Sequence, residues 1–222
     1  MNAPVPIPPF IDSFRADGSV MNLAALEPAD IDFADMAARL SKLALFNGAC
    51  RCPAYSIAQH SVMGADALMR ETGDAVLAGY FILHDGHEHL IGDIVRPAVK
   101  LIDHFYAAEQ RRRFQGRGGI LSVSTAIDLA KASLDAVIHK AAALPPLKTM
   151  PAYARQVHDM DERMLRAEGL ALFGRKAAQH LPAKELPPPK LTGAILPWGA
   201  MKAELAFVDR LERYLNIVAR PA

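Results

Sequence analysis

From Ile31 onward the apolar positions recur at helical spacing. Ile31, Phe33, Met36, Ala37, Leu40, Leu43 and Ala44 trace one face, and Asn47-Gly48 predicts the end of that helix. A second helix is expected from about Ser56 to Arg70, stopped at Gly73. Asp74 is a good N-cap for a third, from about Ala75 to His89. Pro97 suits the first turn of a fourth, which runs to about Phe114, and "GRGG" at 116–119 breaks the chain. Thr125 and Asp128 resemble a capping box for a fifth helix through about Ala143, which "LPP" at 144–146 stops. A sixth spans about Ala152 to Phe173 and a last one about Pro197 to Val218. Before Ile31, prolines and turn formers predict an extended segment with one short hairpin. The stretch "LPAKELPPPK" at 181–190 reads as a surface linker or arm. Strand signals are few and no internal repeat is visible. The expected fold is an all-α bundle of five or six core helices. Residues 1–30 form its extended N-terminal segment, 31–180 its core, and 181–222 a bridge with a C-terminal helix packed on that core.

Composition narrows the function classes. With 222 residues and 51% hydrophobic content, the chain suits one compact domain and not a disordered one. Its net charge of +1 gives no general attraction to nucleic acid polymers or acidic membranes. No run of about 18 apolar residues predicts a membrane span. The start "MNAPVPIPPF" lacks the basic and apolar regions of a signal peptide, so the cytoplasm is expected. Cys50 and Cys52 stand one residue apart, a poor spacing for a mutual disulfide, and are expected as free thiols in a reducing compartment.

The chemistry concentrates in "ILHDGHEHLIGD", residues 82–93. His84 and Asp85 point about 100° apart on a helix. They can still reach one ion at the helix end, and imidazole with carboxylate suits borderline to hard divalent metals. On its own the doublet reads as a dipole-favoured histidine beside an exposed aspartate, and only its distant partners change that. His60 lies on a helix face with Gly64 and Ala67, where close packing demands partners for its ring nitrogens. Asp161 interrupts the apolar stripe Val157, Met164, Leu165 and Leu172, as does Glu168. A carboxylate facing a core is costly unless paired or bound to a cation. Its partner would be an ion, or a base such as Arg163 or Arg166. The proposed ligand set is therefore His60, His84, Asp85 and Asp161, with open positions for water and substrate. Glu88, four residues after His84, is placed to move a proton of water, and Asp93 follows a glycine at the helix exit. Two carboxylates in one pocket push their pKa values apart. His87 lies one turn from His84 and is a candidate contact to the substrate. His89 is assigned to the surface.

These residues, in this order, resemble the HD-domain phosphohydrolase superfamily: a first histidine, a His-Asp doublet and a distant aspartate in a helical bundle. The flanks "YSIAQHSV" (55–62), "LHDGHEHLIGDIVRPAVK" (83–100) and "DMDERMLRAEG" (159–169) are similar to the branch of bacterial 5′-deoxynucleotidases and phage-type deoxynucleoside triphosphate hydrolases. So, more loosely, are "DIDFADMAARLSKLALFNG" (30–48) and "ILPWGAMKAELAFVDRLERYL" (195–215). The resemblance leaves out roughly 105–150 and the proline bridge. It implies one divalent ion (Co, Mn, Mg, Zn or Fe) and attack of metal-activated water on the phosphorus of a deoxynucleoside mono- or triphosphate. It also implies Glu88 and Asp93 as the catalytic carboxylates, Lys100 near the phosphate, and a homo-oligomer, dimeric or larger.

One position departs from the pattern. Leu45 stands where many relatives have a phosphate-holding arginine, and leucine cannot donate to phosphate. Arg51, Arg96 or Lys100 would then take that place. The run Arg111–Arg113 with Arg117 reads as a solvated helix end or as a polyphosphate grip. Trp198 is expected to pack. Two other functions stay open: an HD-like module that binds a nucleotide or a protein without turnover, and an HD phosphodiesterase with another phosphate substrate.

Overall fold

The computed structural model describes residues 9–114, 122–181 and 185–219. It is an all-α bundle, with eight helices and one two-stranded sheet among the described residues. Strands β1 (Asp12–Phe14) and β2 (Val20–Asn22) form the expected hairpin, with Ser13 opposite Met21. Helix α1 (Phe33–Leu40) is started by Asp32, whose carboxylate accepts from the amides of Ala34 and Asp35. It buries Met36, Ala37 and Leu40.

The apolar period carried α1 to about residue 46; the structure ends it at Leu40. The chain leaves the helix there to pair with the segment before the next one. Leu45 N donates to Tyr55 O, Ile57 N donates to Leu43 O, and Ala44 bridges Ser56. These bonds satisfy backbone groups that further helix would otherwise have used. Phe46 and Asn47 then adopt left-handed backbone angles in a 3-10 turn. Leu45 packs against the core.

Helix α2 (Ile57–Thr72) is the centre of the bundle. Ser56 caps it, Gly73 ends it at φ 70°, and every residue from Ile57 to Leu68 is buried. Helix α3 (Ala75–Leu83) packs on it at Gly64, where a Cβ would lie 2.1 Å from the Phe81 ring. The third helix therefore stops six residues earlier than expected. After it come a turn over 84–87 and the short α4 (Glu88–Ile91). Apolar spacing cannot register this break, because the side chains on both sides of it remain buried.

Helices α5 (Arg96–Phe114) and α6 (Val123–Ala141) pair with each other. The N-cap of α6 is Ser122, not Thr125; its hydroxyl accepts from Thr125 N, and Asp103 of α5 accepts from Val123 N. The Thr125–Asp128 capping box is thus not used, because a serine one turn earlier meets the free amides first. Arg112 and Arg113 are exposed and paired with Glu109, as a solvated helix end would be; Arg117 lies outside the described residues. Helix α7 (Pro151–Phe173) crosses α2 and α3, and α8 (Ala200–Leu215) covers α1, α2 and α3. Gln59 of α2 pins the segment before α8: its amide donates to Leu196 O and accepts from Trp198 N. Trp198 packs against the core, with Lys202 over its ring. Among the described residues no helix is long and apolar enough to cross a membrane.

Two expectations are corrected. Cys50 and Cys52 are not free thiols but are joined in a disulfide, because their tight turn brings the Cα atoms to 5.4 Å. His89 is not at the surface. It is buried on α4, and its Nδ1–H donates to Gly86 O. Burial pushes this imidazole down to about 4 from its ordinary 6.5. Between those values His89 binds its proton more readily in the unfolded chain than in the folded one. Its contribution to stability should therefore fall, by up to about 3 kcal/mol, as pH drops from 6.5 toward 4. Urea unfolding across that window checks this. His89→Gln should flatten the slope, and an unchanged slope would disprove the assignment.

Candidate metal centre

Three elements deliver the first four candidates to one point. His60 comes from the first turn of α2, His84 and Asp85 from the turn that ends α3, and Asp161 from the middle of α7. His60 Nε2 lies 3.4 Å from His84 Nε2 and 3.4 Å from Asp161 Oδ1. His84 Nε2 lies 3.1 Å from Asp85 Oδ2 and 3.8 Å from Asp161 Oδ1, and His60 Nε2 is 3.9 Å from Asp85 Oδ2. The break after Leu83 makes this possible. Gly86 N bonds back to Leu83 O, and the chain turns so that His84 and Asp85 face the same side.

The far nitrogens of both rings are committed. His60 Nδ1–H donates to Glu168, 3.0 Å from each carboxylate oxygen, and His84 Nδ1–H donates to Phe81 O at 2.6 Å. Both Nε2 lone pairs are thereby aimed inward. Two imidazole lone pairs 3.4 Å apart, flanked by two carboxylates, repel unless a cation lies among them. The electrostatics say the same. Burial opposes charge on His60, yet Glu168 and Asp161 outweigh it and hold the ring well above its usual range. Burial likewise opposes charge on His84, but Asp85 and Asp161 push it up to about 10. The carboxyls answer in kind. Despite burial, His84 holds Asp85 down to about 2, and the two imidazoles hold Asp161 well below its usual range. His60, His84 and Asp161 offer ligand atoms close enough together to hold a metal ion, and Asp85 stands beside them with its Oδ2 3.1 Å from His84 Nε2.

Asp161 makes no ion pair with Arg163 or Arg166. Arg163 is taken by Glu71 in a two-pronged pair at 2.8 and 2.7 Å and by the carbonyls of Pro187 and Pro188. Arg166 donates to Ala178 O and Leu181 O.

Glu88 and Asp93 stand beside the four. Glu88 is buried, and its Oε2 has no hydrogen-bond partner among the described residues. Burial, then the charges of Asp85 and Asp93, push its carboxyl up to about 9. Burial and then Asp85 raise Asp93 as well. Glu88 does not share a helical face with His84, since the turn separates them; it starts α4 instead. His87 is buried and its Nδ1–H donates to Asp135 Oδ1 at 2.8 Å. Of the basic residues read from the sequence, Arg96 reaches the edge of the centre: it pairs with Glu162 at 2.6 Å and lies 3.8 Å from Asp161 Oδ2. Arg51 and Lys100 are exposed and make no ion pair with the centre among the described residues.

Three neighbours escaped the sequence reading. Lys131 of α6 places its Nζ 4.0 Å from Glu88 Oε1. Asp135 of the same helix holds His87. Glu168 was visible only as a costly carboxylate in an apolar stripe; its partners are His60 and the Tyr55 hydroxyl, which donates at 2.8 Å. Two clefts flank the group. One of about 220 Å³ is lined by Leu43, Ala44, Asn47, Gly48 and Asp93. The other, of about 230 Å³, has His84, Asp135, His139 and Lys148 among its lining residues.

Glu168 gives a direct test of the fit. Glu168→Gln keeps the volume but removes the charge that orients His60. Metal affinity, measured by chelator competition, is expected to fall about 10- to 100-fold. Unchanged affinity would mean that His60 is not a ligand.

No protein-family model matches this chain, and no curated protein matches it either.

Proposed function

We propose that the chain is a divalent-metal phosphohydrolase of the HD type, acting on deoxynucleoside mono- or triphosphates. The observation that carries this reading is the convergence of His60, His84, Asp85 and Asp161 next to two carboxyls that burial and the charge of Asp85 keep protonated more readily than usual. The ion would be held by those four side chains, and imidazole with carboxylate favours Mn, Fe, Co or Zn over Mg. When bound, such an ion supplies Lewis-acid polarisation of a phosphoryl oxygen and makes nearby water more acidic.

The protein's own groups do the rest. Once ionised, a form that Lys131 and a bound cation favour, Glu88 accepts the proton of the attacking water at a carboxylate oxygen. Asp93, with its raised pKa, delivers a proton to the leaving oxygen. Lys131 also adds positive charge beside Glu88. A small-molecule phosphate is the partner of this reading, with a cleft on either side of the group to receive it.

Phosphate release from deoxy- and ribonucleoside mono- and triphosphates, in Mn²⁺ or Co²⁺, tests the reading. Release from deoxynucleotides is expected. No release from any nucleotide, with the ion confirmed bound by elemental analysis, would reject it.

A further inference from the structure

We propose that a second divalent cation binds beside the first, held by Asp85, His87 and Glu88. The proposal rests on the His60–His84–Asp85–Asp161 centre being a metal site, because Asp85 belongs to both groups. One ligand atom from each of Asp85, His87 and Glu88 lies within 4.8 Å of the others. His87 and Glu88 are each only 5% exposed.

Two buried atoms in this group lack a hydrogen-bond partner among the described residues: His87 Nε2 and Glu88 Oε2. Such atoms are rare in folded proteins and call for an explanation. They do not satisfy each other. His87 Nδ1 carries its proton toward Asp135 Oδ1 at 2.8 Å, so Nε2 offers a lone pair, as Oε2 of an ionised Glu88 does. A cation between them satisfies both. A carboxylate that fixes one nitrogen of a histidine and leaves the other free is the usual arrangement behind a metal-ligating imidazole. Asp135 stands to His87 as Glu168 stands to His60.

Charge points the same way. Asp85, Glu88, Asp93, Asp135, Asp161 and Glu162 gather around the centre, with Lys131 and Arg96 as the nearby cationic side chains. One divalent ion leaves this group negative, and a second brings it close to neutral. Lys131 does not take the second position, since it lies 4.0 Å from Glu88 Oε1 and leaves Oε2 to the ion. One imidazole with two carboxylates suits Mn²⁺, Fe²⁺, Co²⁺ or Zn²⁺. The other acidic group nearby, His158 with Asp161 and Glu162, lacks this support: His158 is exposed, and Arg96 already meets both carboxylates. Two cations that share Asp85 form a clamp suited to a phosphoryl group.

Counting Mn²⁺ on the full chain decides the matter without any turnover. The protein is stripped with chelator, saturated with Mn²⁺ and freed of excess before elemental analysis. Two ions per chain are expected, with the spectrum of an exchange-coupled pair in electron paramagnetic resonance. His87→Gln should retain one ion and lose the coupling. Asp135→Asn, which leaves His87 in place, should weaken the second ion about 10- to 100-fold. One ion per chain in the parent, or two in His87→Gln, overturns the second site and leaves the first standing. No ion at all overturns both.

Discussion

A Glu88→Gln variant is expected to lose about 1,000-fold in kcat while the ion at His60, His84, Asp85 and Asp161 stays bound. The loss corresponds to about 4 kcal/mol of barrier and lies within the range for removing a positioned acid–base group. Glutamine has nearly the same volume and fills the same buried space, but it cannot take a proton from water. Stability should hold or rise. Glu88 is buried with one oxygen unpartnered, and its charge is resisted by burial, Asp85 and Asp93. A neutral amide removes that conflict. Turnover with saturating Mn²⁺, read beside metal content and thermal unfolding, separates the roles. Full activity would remove Glu88 from the chemistry.

Asp161→Ala should have the larger effect, because it acts on the ion itself. Asp161 is the contribution of α7, and its Oδ1 faces both imidazoles, at 3.4 and 3.8 Å. Without it, the two Nε2 lone pairs keep Asp85 as their carboxylate. Affinity for Mn²⁺ should drop by more than the ~10- to 100-fold of an outer-shell change, and hydrolysis should fall below detection. The fold should survive. Asp161 is not an anchor between helices in the way Arg163 is, which ties α7 to Glu71 of α2 and to the proline bridge. A variant that binds Mn²⁺ as the parent does would show that the ion sits elsewhere.

Much of the centre could be read from residue order. His60 and Asp161 stand out as polar residues on packed faces, where burial without a partner is costly and therefore informative, and His84 and Asp85 as a doublet at a helix end. The helices of the core followed from spacing and caps, and Ser56, Gly73 and Asp74 act as their residue types suggest. The rest depends on contacts far apart in sequence. Nothing local says that α6 will lie against α4, so Lys131 and Asp135 look like ordinary surface charges until the chain folds. The break after Leu83 hides behind continuous burial. Glu168 looked like a liability because its partners, Tyr55 and His60, lie more than 100 residues away.

The grip of Gln59 on Leu196 and Trp198 has a consequence for synthesis. Helix α2 buries a dozen consecutive residues, and one of its main covers is α8, which begins at Ala200. A ribosome must therefore deliver about 130 further residues after α2 emerges before that surface can close. Contacts this distant slow folding, and apolar surface left waiting invites association with other chains. The nascent chain is thus expected to depend on holding chaperones until its final helix is free, even though the four proposed metal ligands have all been translated by residue 161.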